Sequence, residues 1–191
     1  MNAAEHIVDA YFRLVRGCFT LADRKVAKGN NRQLDILAYH LLDKTSYYIE
    51  VGVTHQENWC PTMDELGAQF EKKFFGASPE RKGKSGGKTD FEKGKSYWKQ
   101  IEATYAEVGF DPEVVRRVWV CWIVKGRKDA EPIHHGFQSG HLSRTFDIEV
   151  LSLRDHVLPQ LEKAIGTSNY DDVILRTLGF VKQRELQTAV A

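Results

Sequence analysis

The stretch Arg32–His55, RQLDILAYHLLDKTSYYIEVGVTH, constrains this chain more than any other. Two apolar runs, Leu34–Leu42 and Tyr47–Val53, are rich in branched and aromatic residues. The polar break Asp43-Lys44-Thr45 lies between them, which is the pattern of a β-hairpin. Each run carries one carboxylate, Asp35 and Glu50, in surroundings where a charge is costly to bury without a partner. With Asp43 and Lys44 as a two-residue loop, Leu42 pairs with Thr45, and the register sets Leu37 across from Glu50 and Asp35 across from Gly52. Asp35 and Glu50 then share one face as diagonal neighbours, about 8 Å apart at Cβ. A four-residue loop is expected to give the same register, and an odd-numbered loop separates them. Two carboxylates on one face repel unless a proton or cation is shared, and hard oxygen ligands with room for water suit Mg²⁺. The plainer alternative is a half-exposed sheet in which both groups face solvent.

The residues before and after the hairpin supply elements to pack against it. Ala3–Arg16 has the spacing of an amphipathic helix, with Asn2 as N-cap and Glu5 at the third helical position, a capping-box arrangement. Gly17 ends it, and Cys18–Ala27 reads as a strand leading into the turn Lys28-Gly29-Asn30-Asn31. Thr62–Phe75 and Tyr97–Val108 have helical spacing, and Val114–Lys125 is the most hydrophobic strand, with Trp119 and Trp122 on opposite faces. Lys72 and Lys73 fall in the last turn of the first of these helices. Solvation is the default for both, unless that end of the helix points at the hairpin.

The order of elements and two short motifs carry a resemblance. A helix, a strand, then Gln33-Leu34-Asp35-Ile36-Leu37-Ala38, then Tyr48-Ile49-Glu50-Val51 resembles the PD-(D/E)XK nuclease superfamily, the restriction-endonuclease-like fold. The match runs from Glu5 to about Lys125 as an order of elements. It implies a mixed central α/β sheet flanked by helices, an α-β-β-β-α-β core. It also implies a Mg²⁺ or Mn²⁺ site made by Asp35, Glu50 and the Val51 carbonyl, with Glu5 of the first helix as a further metal ligand. The implied activity is hydrolysis of DNA phosphodiesters through Asp35 and Glu50. In the superfamily a lysine two residues after the Glu positions or activates the attacking water, and here that position is Gly52. A lysine from the following helix is one way in which members replace it, which makes Lys72 and Lys73 candidates. The other reading is a catalytically inactive member that binds DNA or protein.

The remaining segments define partners. Gly76–Lys95 is rich in Gly, Lys and Ser and reads as a loop, with Arg81, Lys82, Lys84 and Lys88 as candidate contacts to a nucleic-acid backbone. Its GKS and GKT triplets lack the upstream glycine of a phosphate loop, which argues against a nucleotide cofactor. The formal net charge is only +1, so any DNA contact has to come from such local patches. His55 is a further candidate for reaching a phosphate. Gly126–Arg144 reads as a second polar loop whose histidines lack ligand spacing. Phe146–Leu153, Asp155–Ile165 and Tyr170–Leu178 form a β-α-α extension that offers a dimer or protein-partner surface, with Pro159 forcing a kink or a late helix start. The length of 191 residues suits one domain. Three unpaired cysteines, early charges and no membrane-length apolar run point to a cytoplasmic protein that does not engage a membrane.

Overall fold

The computed structural model describes residues 1–29, 31–54, 56, 60–78, 95–127 and 129–188. Its helices are α1 (Ala3–Leu14), α2 (Met63–Lys73), α3 (Trp98–Glu107), α4 (Leu158–Ile165) and α5 (Val173–Thr188). The strands are β1 (Cys18–Lys25), β2 (Gln33–His40), β3 (Thr45–Val51), β4 (Ala77–Ser78), β5 (Lys95–Ser96), β6 (Arg116–Cys121), β7 (Ile133–Ser139) and β8 (Arg144–Ser152). Six strands form one mixed sheet in the order β1-β2-β3-β6-β8-β7, while β4 and β5 pair with each other. The first three strands run as an antiparallel meander; β6 is parallel to both β3 and β8. A parallel neighbour requires a crossover, and α2 and α3 lie in the chain between β3 and β6.

Strand alternation sorts the core into two layers. Tyr47 and Ile49 of β3, with Val118 and Val120 of β6, face Val8, Tyr11 and Phe12 of α1. Tyr48, Trp119 and Leu37 face the other way, onto Phe70 and Phe74 of α2 and Ile101 and Tyr105 of α3. Trp119 and Trp122 therefore serve opposite faces, as the alternation predicts. Helix α5 closes a smaller cluster in which Leu175 meets Leu161, Ile165 and Ala10.

The hairpin forms with a register two residues away from the expected one. His40 pairs with Thr45 and Leu37 with Tyr48, so the loop is Leu41–Lys44. The turn is fixed by Lys44, which takes a left-handed φ of 52°, and by the His40 ring, whose Nδ1 lies 2.9 Å from Asp43 Oδ2. Leu41 and Leu42 are consequently exposed in the turn instead of paired. A shift of two preserves side-chain parity. Continuing the ladder one step past Ile36–Ile49 sets Asp35 directly across from Glu50, not diagonal to it.

The second correction concerns the extension. The segment read as a polar loop contains β7, which pairs with β8 through Ile133–Val150 to Ser139–Arg144. The extension is therefore β-β-α-α. The strand's alternation was present in the residues: Ile133, His135, Phe137 and Ser139 turn inward while His134, Gly136 and Gln138 are exposed. The helix expected from Asp155 with a kink or a late start begins at Leu153 instead. A π-helical turn (Leu153–Val157) runs directly into α4, and Pro159, which has no N–H to donate, sits just after the change from π to α winding.

Gly52 is fixed by packing. A Cβ built on it would lie 2.3 Å from Cζ2 of Trp119, whose ring fills the space over the end of β3. Gly52→Ala is expected to lower stability by about 1–3 kcal/mol, the usual range for overpacking, measured by chemical denaturation. Trp119→Leu in the same chain should recover part of that loss; an unchanged midpoint for Gly52→Ala would contradict this packing.

Candidate functional site

The end of the β2–β3 ladder brings two carboxylates together under one helix terminus. Asp35 and Glu50 stand on the α2–α3 face of the sheet, and Asp35 Oδ2 accepts the Val51 N–H at 2.9 Å. That bond satisfies a backbone donor just beyond the last paired residues. Glu50 is 1% exposed, Asp35 9%. Over them, the last turn of α2 delivers Lys73, whose Nζ donates to Glu50 Oε2 at 2.5 Å. Tyr48, two residues before Glu50 and so on its face, donates its hydroxyl to Glu50 Oε1.

Helix α2 is held so that its C-terminal end points here. Its N-terminus is closed by a capping box between Thr62 and Glu65. Phe70 and Phe74 lock its inner face against Trp119, and Phe74 meets the Tyr48 ring edge-on at a centroid distance of 5.2 Å. Glu71, buried on the same helix, accepts from the Ser139 hydroxyl at 3.0 Å and the Gly140 N–H at 2.6 Å, tying α2 to the β7–β8 turn. Lys73 reaches Glu50 because these contacts set both the rotation and the height of α2. No local sequence pattern reports either.

The ion pair is unequal. Burial pushes the Glu50 carboxyl up, the negative charge of Asp35 pushes it further, and Lys73 and Tyr48 offset only part, leaving it at about 7. Burial pulls the Lys73 ammonium down, but the Glu50 carboxylate outweighs that and holds it above its ordinary value. The difference follows from depth, because the Lys73 side chain remains 33% exposed while that of Glu50 is 1% exposed. Burial and Glu50 also raise the Tyr48 phenol well above its usual range, so it is a donor at neutral pH.

The site opens into a cleft of about 350 Å³ lined by Arg32, Gln33, Asp35, Lys72, Lys73 and Tyr97. Asp35 lines this cleft, whereas Glu50 does not and has Tyr48 on one oxygen and Lys73 on the other. Two neighbouring hard carboxylates that repel one another fit a Mg²⁺-type ion. Such an ion typically takes one or two protein carboxylates and keeps waters. A third protein ligand does not join them: among the described residues no group of three or more His, Cys, Asp or Glu side chains converges.

Glu5 is accordingly placed elsewhere. Its Oε1 accepts from Asn2 Nδ2 at 2.7 Å and its Oε2 from the Asn2 N–H at 2.8 Å, completing the capping box at the start of α1. It stays there because it closes the helix's free N–H groups, and α1 packs on the opposite sheet face. His55, Arg81, Lys82, Lys84 and Lys88 lie outside the described residues. Sequence reasoning named Lys73 only conditionally and missed the Tyr48 contact, although Tyr48 and Glu50, two apart in a strand, must share a face. It also missed Arg32 and Tyr97, whose juxtaposition depends on α3.

Compared with known proteins, the chain matches no family model, no curated protein and no solved structure. Among the described residues, no helix is long and apolar enough to cross a membrane.

A carboxyl raised from 4.5 to about 7 keeps its proton longer in the folded state. Its stabilising contribution is complete below the unfolded value and is lost as pH rises through 7, an effect of roughly 3 kcal/mol. Asp35→Asn keeps an oxygen for the Val51 N–H but removes the repelling charge. The melting temperature of this variant should equal the parent's near pH 4 and exceed it at pH 8. Parallel pH profiles for the two proteins would contradict coupling between Asp35 and Glu50.

Proposed function

We propose that the chain is a divalent-metal-dependent nuclease of the PD-(D/E)XK type in which Lys73 takes the role of the lysine absent at position 52. The observation that carries this reading is the Lys73 ammonium on Glu50, with Asp35 directly across the hairpin. A helix, three antiparallel strands, an intervening segment of two helices with the short β4–β5 pair between them, and a parallel strand, α1-β1-β2-β3-α2-β4-β5-α3-β6, support the same reading. In it, the fold is the restriction-endonuclease-like one with an added β-β-α-α unit.

Each group then has a role its environment allows. Asp35 and Glu50 would hold Mg²⁺ or Mn²⁺, which when bound would supply a more acidic water and offset charge on the phosphate. Lys73, held cationic by Glu50, donates hydrogen bonds. It orients the attacking water and stabilises negative charge on the phosphate, and it does not serve as the base. Tyr48 fixes the second oxygen of Glu50, so that the carboxylate presents one geometry. Trp119 explains why the amine comes from a helix: its ring excludes any side chain at position 52.

One observation favours the alternative, a non-catalytic module of the same fold. Lys73 already partners Glu50, so the pair is satisfied as a structural bridge. A cleavage assay separates the readings, using linear, nicked and single-stranded DNA with Mg²⁺ or Mn²⁺. Nuclease activity should appear only with the ion and vanish in Asp35→Ala. It should fall about 10²–10³-fold in Lys73→Met, the usual cost of removing one preorganised donor. Absence of cleavage with both ions would favour the binding module, and full activity in Asp35→Ala would contradict a catalytic site at Asp35.

A further inference from the structure

We infer that Arg32, supported by Tyr97 and joined by Lys72, is a preformed receptor for a phosphate of the nucleic-acid strand, an inference that rests on the nuclease reading for the identity of the anion. The backbone of Arg32 is pinned first. Asn31 takes a left-handed φ of 60°, the Arg32 N–H donates to Gly29 O at 3.1 Å, and Arg32 O accepts the Val26 N–H at 3.0 Å. The side chain is pinned next. Its guanidinium lies over the Tyr97 ring, 5.3 Å from the centroid, and one terminal nitrogen donates to the carbonyl of Lys72. Ring stacking and a carbonyl bond orient a guanidinium without neutralising it.

Its charge is left available. Among the described residues no carboxylate pairs with Arg32 within salt-bridge distance, and its Nε is buried with no hydrogen-bond partner. Lys72, exposed beside it, likewise has no carboxylate partner among the described residues. Among the described residues seven other arginines are paired with carboxylates, including Arg16 with Glu149, Arg24 with Glu107, Arg144 with Glu113 and Arg176 with Asp171. Arg32 and Lys72 line the same cleft as Asp35 and Lys73. Two cations without a carboxylate partner, lining the cleft that Asp35 also lines, suit an anion that arrives together with a divalent ion, which is the chemistry of a phosphodiester at a metal site. The planar fork of Arg32 is the group that grips a phosphate in a fixed orientation, whereas Lys72 adds charge alone. Arg32 is fixed before the strand arrives, so little ordering is required of it on binding.

The test is binding without catalysis. Fluorescence anisotropy in EDTA would follow single-stranded oligonucleotides, with and without a 5′-phosphate, across a salt series. Arg32→Gln should weaken binding about tenfold or more and reduce the slope of log affinity against log salt by about 0.7, one released counterion contact on a single strand. Tyr97→Leu, which keeps the charge but removes its support, should weaken binding with the slope retained. Lys72→Gln, at an exposed position, should repeat the slope change and guards against misfolding of the Arg32 variant. Equal losses on both oligonucleotides identify an internal phosphodiester, and a loss confined to the 5′-phosphorylated one identifies a terminal phosphate. Unchanged affinity and slope in Arg32→Gln and Lys72→Gln, with metal-dependent cleavage intact in the parent, would overturn the receptor alone. Lost binding in these variants with no cleavage by the parent would overturn the nuclease reading alone.

Discussion

A nearly inaccessible carboxylate, Glu50, sits on the central hairpin within a shell of aromatic rings, and the surrounding structure is arranged to keep it there. Burial and Asp35 both oppose its ionisation, so that its pKa stands at about 7 despite the amine of Lys73 on one oxygen and the hydroxyl of Tyr48 on the other. A charge in that position persists only when it is paired and hydrogen-bonded. Losing Lys73 would leave an uncompensated anion; losing Asp35 would relieve it. The proposed function draws on the same imbalance, because a pair of carboxylates short of positive charge is what a divalent ion can complete.

The fold maintains this imbalance through contacts far from the carboxylates themselves. Trp119 holds α2 through Phe70 and Phe74, and Glu71 ties the same helix to the β7–β8 turn. Those contacts rotate Lys73 inward while leaving Lys72, its sequence neighbour, exposed on the cleft rim. Trp119 also excludes a side chain at Gly52. One indole therefore crowds position 52 and also packs against the helix that carries Lys73. Position 52 and position 73 are linked by packing.

Much of the arrangement was legible in local patterns. The hairpin, the capping box at Asn2 and Glu5, the opposed tryptophans and the change of helical winding beside Pro159 all follow from spacing and backbone chemistry over a few residues. The face shared by Asp35 and Glu50 was legible for a deeper reason, since every even shift of register preserves it. The register itself was not, because the left-handed Lys44 and the His40–Asp43 contact moved the turn away from the polar break. Strand β7 was hidden by composition: its histidines and glycine masked an alternation that its pairing with β8 made decisive. Lys73 and Arg32 were the least legible, because their directions depend on tertiary contacts of α2 and α3.

The most direct measurement is a calorimetric titration of Mg²⁺ or Mn²⁺ into the protein at pH 7 in two buffers of different ionisation enthalpy, which counts the protons released. A carboxyl with a pKa of about 7 is half protonated there, so ion binding at Asp35 and Glu50 should release about half a proton, falling towards none above pH 8 and absent in Glu50→Gln. Saturable binding with that proton count would confirm that the hairpin carboxylates hold the ion. No binding, or binding without proton release that survives Glu50→Gln, would show that the pair is a structural bridge and that any ion binds elsewhere.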